Sequence, residues 1–218
     1  MRISRRSVIG GTMALAAVPV IQGDLLARQA TPVADAAGAP GYAIVRARTH
    51  ATAEVAQAVY PEVMTHFLPP TREVPGYRGY AFAFNNADPN GVITATFVDD
   101  EAAADQAAAV AQAYVAGVEP RLAPETPFSQ QGALRIYQPT DRPASELPPF
   151  LHGCLITMRH RISAPDIDVD AVVALARDEL TPMLAAMDGF VLYAWMQVDG
   201  GRVAINIWET EAQLEAGN

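Results

Sequence analysis

The sequence contains no lysine and only one cysteine. All 15 basic residues are arginine. Guanidinium groups bind carboxylates through two hydrogen bonds, so this composition is compatible with anion recognition; we interpret it instead as a bias toward GC-rich codons. A single cysteine excludes an intramolecular disulfide and a thiolate metal cluster. Cys154 lies in the apolar run LHGCLITM, and we predict that it is a small buried hydrophobe.

Positive charge and aromatic residues are also scarce. The formal net charge is −9, which argues against nucleic acid or an anionic membrane as a partner, since both attract clustered positive charge. Aromatic residues make up 7% of the chain, whereas half of all residues are apolar. The 218 residues therefore supply a sizeable core, in either one large domain or two small ones.

Motifs that hold metals, cofactors or nucleophiles are missing. The four histidines His50, His66, His152 and His160 form no HxH, HxxxH or HExxH pair, so their spacing predicts no metal site. The sequence has no GxSxG nucleophile motif, no phosphate-binding glycine loop and no dinucleotide fingerprint. We therefore predict that the protein uses no cofactor.

The first residues have the features of an export signal. Arg5 and Arg6 precede the uncharged segment Val8 to Ile21, which is too short to span a membrane as a helix. SRRSVIG resembles the twin-arginine motif. We predict that residues 1–36 are this signal, with cleavage after Ala36 or alternatively after Ala30. The mature protein is then periplasmic or extracellular, without stable membrane insertion; an uncleaved N-terminal anchor is the alternative.

Beyond the signal, one order of elements occurs twice. YAIVRARTH is a predicted strand, and Thr52 caps a helix that LPPTREVPG ends. YRGYAFAF and VITATFV are predicted strands around a polar turn, and Asp99 or Asp100 caps a helix that starts at Glu101. The second copy runs through CLITMRHRI, a helix opened by Asp168 or Asp170, and a hairpin around DGG.

Corresponding positions support the repeat. Gly76 matches Gly189, Tyr80 matches Tyr193, Phe82 matches Trp195 and, by kind, Pro61 matches Pro182. Residues 138–150 are a proline-rich connector, and ALRIY just before it has the pattern of a last strand for the first unit. A sheet covered on one face leaves its other face exposed, so we predict that two such sheets pack face to face.

Each copy has a characteristic opening, PGYRGY or DGFVLY, and a characteristic ending, VDDEAAA or WETEAQL. Together with the order of elements, these motifs resemble the dimeric α+β barrel superfamily, and within it the antibiotic-biosynthesis-monooxygenase-like (ABM) domains. The resemblance covers residues 41–137 and 151–218. It implies an α+β fold in which two tandem ferredoxin-like units form an intramolecular α+β barrel, a monomer with an internal pseudo-dimer that is open to further oligomerisation. The final helix of the second unit is shorter than its counterpart, and we favour truncation of the gene model over degeneration.

The residues predict a ligand pocket more clearly than a reaction. Tyr80 and Phe82 share strand parity, as do Tyr193 and Trp195, so each pair points to one face of its sheet. If that face lines the barrel cavity, it forms an aromatic pocket with arginines near its mouth; the alternative is core packing under the helices. The resemblance implies catalytic groups in the cavity. The polar residues available as candidates are His160, Arg159 and Tyr193. The asparagine and histidine of haem-degrading relatives have no match here.

Three functions remain open from the sequence. The leading interpretation is an exported protein that binds a small apolar or aromatic molecule in the barrel cavity. The alternatives are a cofactor-independent monooxygenase and a non-catalytic structural or interaction module. Fold alone does not decide among them, because one fold hosts many activities.

Overall fold

The computed structural model describes residues 12–15, 39–85, 88–142, 155–163 and 166–217. Apart from the short strand β1 (Thr12–Leu15), the predicted signal lies outside the described residues, as do Cys154, His152 and most of the predicted connector. The backbone of β1 pairs with a strand of the second half, between Thr12 and Arg159 at one end and Leu15 and Ile156 at the other.

The first half has the ferredoxin-like order of elements. Strand β2 (Tyr42–Thr49) leads into helices α1 (Ala53–Glu62) and α2 (Leu68–Arg72). The hairpin β3 (Tyr77–Phe84) and β4 (Gly91–Val98) follows, then α3 (Glu101–Gly117), a 3₁₀ turn at Pro120–Leu122 and β5 (Glu125–Pro139). These strands pair antiparallel in the order β5-β2-β4-β3.

The second half repeats this order up to its second helix. It consists of β6 (Leu155–Ile162), α4 (Val169–Leu175), α5 (Thr181–Ala185), β7 (Phe190–Val198), β8 (Gly201–Trp208) and α6 (Glu211–Ala216). Its strands pair in the order β6-β8-β7, which corresponds to β2-β4-β3 of the first half. Asp168 caps α4, since its carboxylate accepts from the Ala171 amide at 3.0 Å.

Strand β5 joins the two halves into one sheet. It is longer than the predicted segment ALRIY: its first part pairs with β2, from Glu125 opposite Thr49 to Ala133 opposite Tyr42, and its last part pairs with β7. Gly132 lies where the two pairings meet, and a Cβ there would stand 1.8 Å from the Gln197 carbonyl oxygen. The predicted α+β ferredoxin-like barrel fold is confirmed.

The inner faces of the two half-sheets form one apolar core. Ala43 and Val45 of β2, Phe97 of β4, and Met196 and Ile205 of the second half all belong to this buried cluster. The rings of Phe128 on β5 and His160 on β6 also meet, with centroids 5.4 Å apart. Alternate residues of each strand thus fill the interior, while the others face the helices.

Each half carries a compound helix with a π-helical turn in the middle. In the first, residues 53–72, the π turn is Val63–Phe67; in the second, residues 169–185, it is Ala176–Leu180. As predicted, the first helix ends within LPPTREVPG, at Arg72, but its prolines do not stop it: α2 starts at Leu68, and Pro69 lies in its first turn directly after the π turn, where a missing N–H costs little. Pro182 of α5 occupies the equivalent place, so its structural counterpart is Pro69 and not Pro61.

Two glycines begin equivalent strands. Gly76 has a φ of +83° and Gly189 a φ of +74°, a backbone conformation that glycine adopts at little cost. Their carbonyl groups accept from Asp99 and Glu209 at 2.9 and 3.0 Å. The predicted match between these positions is therefore also a geometric match.

In the part of the chain that the structure describes, no helix is both long and apolar enough to cross a membrane.

Candidate functional site

A cavity of about 460 Å³ lies between the second half-sheet and the second compound helix. We call it the outer cavity, because it is on the side of the sheet opposite the inner core. Its floor consists of outward-facing side chains of β6, β7 and β8, namely Arg159, Arg161, Tyr193, Trp195, Arg202, Ala204 and Asn206. Its wall comes from the compound helix, through Val172, Leu175, Ala176, Glu179, Leu180, Met183 and Leu184, and Gly217 closes one side.

Strand register explains why the floor residues meet. Arg161 pairs with Arg202, and Ala204 stands between Arg159 and Trp195. Since side chains alternate between the faces of a strand, all of these residues point outward, while their neighbours Met158, Val203 and Ile205 point into the inner core. The small Ala204 side chain leaves space between the Arg159 guanidinium on one side and the Trp195 indole on the other.

The floor is strongly cationic at one end. The Arg202 guanidinium carbon lies 4.5 Å from the centroid of the Trp195 ring, in a cation–π arrangement. Burial lowers the pKa of Arg159 and of Arg202, and in each case the nearby Arg161 charge lowers it further. None of the ion pairs formed among the described residues includes Arg161 or Arg202. An anionic group entering here would therefore be attracted.

The aromatic floor carries buried polar atoms. Tyr193 is 4% exposed and Trp195 is 3% exposed. Burial raises the pKa of the Tyr193 phenol, although Arg202, Arg159 and Arg161 act in the opposite direction, so the phenol is a hydrogen-bond donor at neutral pH. The Trp195 Nε1 and Asn206 Oδ1 atoms are buried and form no hydrogen bond within the described residues. One unused donor and one unused acceptor therefore lie in the floor of the outer cavity.

The helical wall is apolar and partly exposed. Leu175 and Met183 are 56% and 57% exposed, unusually high values for large hydrophobic side chains that line a cavity. The π turn of this wall contributes Ala176 and Glu179, and the Thr181 hydroxyl donates to the Ala176 carbonyl at 2.9 Å. Such turns are frequently found at functional sites. An apolar ligand body would gain contacts with this rim.

The structure brings together three of the predicted site residues. Tyr193, Trp195 and Arg159 all line the outer cavity. His160, which was grouped with Arg159 and Tyr193 as a catalytic candidate, lies on the other face of β6 against Phe128. The reason is strand alternation, which sends neighbours in sequence to opposite faces. His160 and Tyr193 are thus separated by the sheet and do not share a site.

The other two predicted ligand-binding residues lie in the first half. Tyr80 and Phe82 point outward and pack in an aromatic cluster under the first compound helix, with centroid distances of 5.4 Å to Phe67 and 5.3 Å to Tyr60. For Tyr80 and Phe82 the structure therefore shows the alternative, core packing under the helices, and neither aromatic pair lines the barrel interior. That interior is occupied by the inner core, because the small and aliphatic residues alternate with the aromatic ones.

Sequence reasoning missed Arg161, Arg202, Asn206 and Glu179 as cavity residues. The alternation of Arg202, Ala204 and Asn206 along β8 was a usable signal, since it marks a half-polar outer face. Glu179 had no comparable signal, because its place depends on the π turn. Within the described ranges, no three His, Cys, Asp or Glu side chains come close enough together to hold a metal ion.

Comparisons with known proteins identify the fold class. No family model matches the sequence, and no curated protein matches it. Among solved structures, a candidate monooxygenase from Fusobacterium nucleatum superposes with a TM-score of 0.61 at 11% identity, covering 82% of this chain and 80% of that one. A candidate monooxygenase from Lactobacillus acidophilus gives 0.52 at 10% identity, with 83% and 81% covered.

An anthrone oxidase-like protein gives a TM-score of 0.50 at 11% identity, with 85% of this chain and 78% of that one covered. These similarities extend over both halves of the described chain. The protein thus has the α+β barrel fold found in these monooxygenase-like structures. At such low identity they establish the fold alone, and the chemistry has to be inferred from the site.

Proposed function

We propose that this protein binds a small aromatic molecule that carries an anionic group, in the outer cavity. The observation that supports this most is the joint placement of Trp195 and Arg202 on a floor where neither Arg161 nor Arg202 forms an ion pair with another described residue. The volume of about 460 Å³ is within the range of about 300–1,000 Å³ that is usual for small-molecule sites. The ring system would lie between the floor and the apolar wall.

Two naphthalene probes separate the aromatic from the anionic requirement. 8-Anilinonaphthalene-1-sulfonate carries a sulfonate, and N-phenyl-1-naphthylamine has the same ring system without it. We expect saturable 1:1 binding of the first probe by fluorescence titration, with the second at least ten-fold weaker, since a charge-assisted contact contributes about 1.5–3 kcal/mol. Native mass spectrometry of the purified protein would then identify a natural ligand.

Two variants locate the probe. Ala204→Leu fills the space between Arg159 and Trp195, and it is expected to abolish binding of both probes. Arg202→Met is expected to remove only the preference for the sulfonate, while Arg121→Gln, a charge-matched change at an exposed site, changes neither affinity. Unchanged binding by a folded Ala204→Leu protein, with near-ultraviolet circular dichroism as the control, would refute this site.

A second candidate function is oxidation of the bound molecule without a cofactor. Its support is the fold shared with the candidate monooxygenases and the anthrone oxidase-like protein. Tyr193 would orient an oxygen substituent as a donor, and among the described residues that line the outer cavity Glu179 alone carries a carboxylate. Oxygen uptake with anthrone as substrate tests it: consumption lost in Glu179→Gln supports oxidation, and no consumption by the intact protein leaves binding as the function.

We also propose export by the twin-arginine route, supported by Arg5-Arg6 and the uncharged segment that follows them. Cleavage after Ala36 would remove β1 and leave β2, which starts at Tyr42, intact. Intact-mass measurement of the protein from the periplasm or the medium is expected to give residues 37–218. Arg5→Lys with Arg6→Lys should retain the protein in the cytoplasm; unchanged export would contradict the proposal.

A further inference from the structure

The first half carries a cationic cluster, Arg46 and Arg48, on the outer face of β2. Both residues alternate with the inner residues Val45 and Ala47, so they point toward the helices. The buried His50 follows β2 and adds no charge at neutral pH, because burial lowers its pKa. Arg48 is 6% exposed. Guanidinium groups are rarely buried to this extent unless something pairs with them.

Two tyrosines lie beneath the first compound helix, near these arginines. Tyr80 of β3 and Tyr114 of α3 both pack against Phe67, with ring centroids 5.4 and 5.5 Å from it, and the Tyr80 hydroxyl neighbours Thr94, which is paired with Arg46. The Arg48 charge acts on both phenols, lowering the pKa values that burial raises. The two hydroxyls therefore lie within electrostatic reach of one guanidinium, beneath the first compound helix.

Two donors in this region are unused. The Arg48 Nε and Tyr114 hydroxyl atoms are buried and have no hydrogen bond among the described residues. The Tyr80 hydroxyl is also buried, and Thr94 is its side-chain hydrogen-bond partner. Buried polar groups are almost always hydrogen-bonded, so two unused donors in this region indicate a further partner.

No ion pair among the described residues includes Arg46 or Arg48. Burial and the adjacent Arg48 charge together lower the pKa of Arg46 to about 10. Glu62 is the carboxylate that acts on Tyr114, and its Oε2 lies 3.5 Å from His66 Nε2. The two guanidinium groups are therefore not paired with a carboxylate in the part of the chain that the structure describes.

We propose that Arg48, Tyr80 and Tyr114 bind a small oxoanion, of the carboxylate or the phosphate class, between β2 and the helices of the first half. The Arg48 N–H and the Tyr114 O–H are donors that match the lone pairs of such an anion, and the Tyr80 hydroxyl lies beside them. The two adjacent guanidinium groups supply the charge, and the anion would satisfy the donors that the protein leaves unused. This site is in the other half of the protein from the outer cavity and does not depend on it.

Isothermal titration of the full chain with inorganic phosphate and with acetate, at constant ionic strength, tests the proposal. The titrations are made in the Arg202→Met background, so that the outer cavity contributes less to the heat. We expect one saturable site for one of the two anions, and the anion that binds more tightly identifies the class. Arg48→Met should weaken it at least ten-fold and Tyr114→Phe about two- to ten-fold, the effects of losing a charged and a neutral hydrogen bond.

Arg121→Gln is the matched control, because it also removes one positive charge but at an exposed site. It should leave the affinity unchanged. Absence of saturable binding for both anions would overturn the proposal, and so would wild-type affinity in a folded Arg48→Met protein. If Arg48→Met does not fold, Tyr114→Phe decides: unchanged affinity there would show that water alone satisfies the cluster.

Discussion

The position of Gly132 gives a prediction whose magnitude follows from one distance. A Cβ at this residue would stand 1.8 Å from the Gln197 carbonyl oxygen, whereas a carbon and an oxygen in contact are about 3.3 Å or more apart. Gly132→Ala therefore requires β5 and β7 to separate by about 1.5 Å. Neither strand moves freely, because β5 is also paired with β2 and β7 is also paired with β8.

We expect Gly132→Ala to cost about 3 kcal/mol or more, the upper end of the cost of overpacking. In a chain of this size the melting temperature should fall by about 6–12 °C. Differential scanning calorimetry measures it, and Gly117→Ala is the matched control, since nothing lies within 4 Å of its Cβ position. The control is expected to be neutral or stabilising by about 0.5–1 kcal/mol. A folded Gly132→Ala protein that melts within 2 °C of the parent, a margin of about 1 kcal/mol or less, would refute the tight junction between the halves.

Two further predictions concern buried hydroxyl groups. Burial raises the pKa of Tyr60 from 10.0 to about 12, so this tyrosine ionises in the unfolded chain before it ionises in the folded protein. The free energy of unfolding should therefore fall between pH 10 and 12, by about 1.4 kcal/mol per pH unit from this residue. Urea unfolding at pH 9, 10 and 11 measures the slope; Tyr60→Phe should reduce it, and an unchanged slope would contradict the assignment. Thr181→Val leaves the Ala176 carbonyl without its 2.9 Å hydrogen bond and should cost about 1–2 kcal/mol, whereas Thr65→Val at an exposed position should not; equal losses would argue against the π-turn hydrogen bond.

The two proposed sites use matched positions of the two half-sheets. Arg46 pairs with Thr94 as Arg159 pairs with Ala204, and Arg48 pairs with Val92 as Arg161 pairs with Arg202. The covering differs between the halves. In the first half, Tyr114 of α3 packs against Phe67 of the first compound helix. In the second half, Arg159, Arg161 and Arg202 line a cavity large enough for an aromatic molecule.

Strand and helix identity followed well from sequence patterns. The Val59, Val63 and Phe67 positions do face one cluster, and Asp100 caps α3 through a 2.9 Å bond to the Ala103 amide. The first helix ends within LPPTREVPG as predicted, but it continues past Pro69, because the π turn places this proline in the first turn of α2, where it is tolerated; that turn is not visible in the sequence. Local patterns carry propensity, but they do not show such insertions.

The candidate site was predicted only in part. Tyr193 and Trp195 were identified by strand parity, which is a local property, and Arg159 as an available polar group; all three line the outer cavity. Parity states which residues share a face, yet it does not state whether that face meets the opposite half-sheet or the helices. His160 was misplaced for the same reason, since a single position along β6 reverses the face.

The sequence by itself determined the order of the elements, the α+β class, the repetition of that order and the acidic, lysine-free composition, because these depend on periodicity, turn residues and counts. Only the tertiary structure decided which sheet face became the interior, where the cavity lies and which arginines are buried without counter-charge. The physical reason is that packing two half-sheets through β5 places alanine and aliphatic side chains inside. The same packing places the arginines and aromatic rings on the outer faces of the sheet, toward the helices. Which face becomes the interior depends on contacts between residues far apart in the chain.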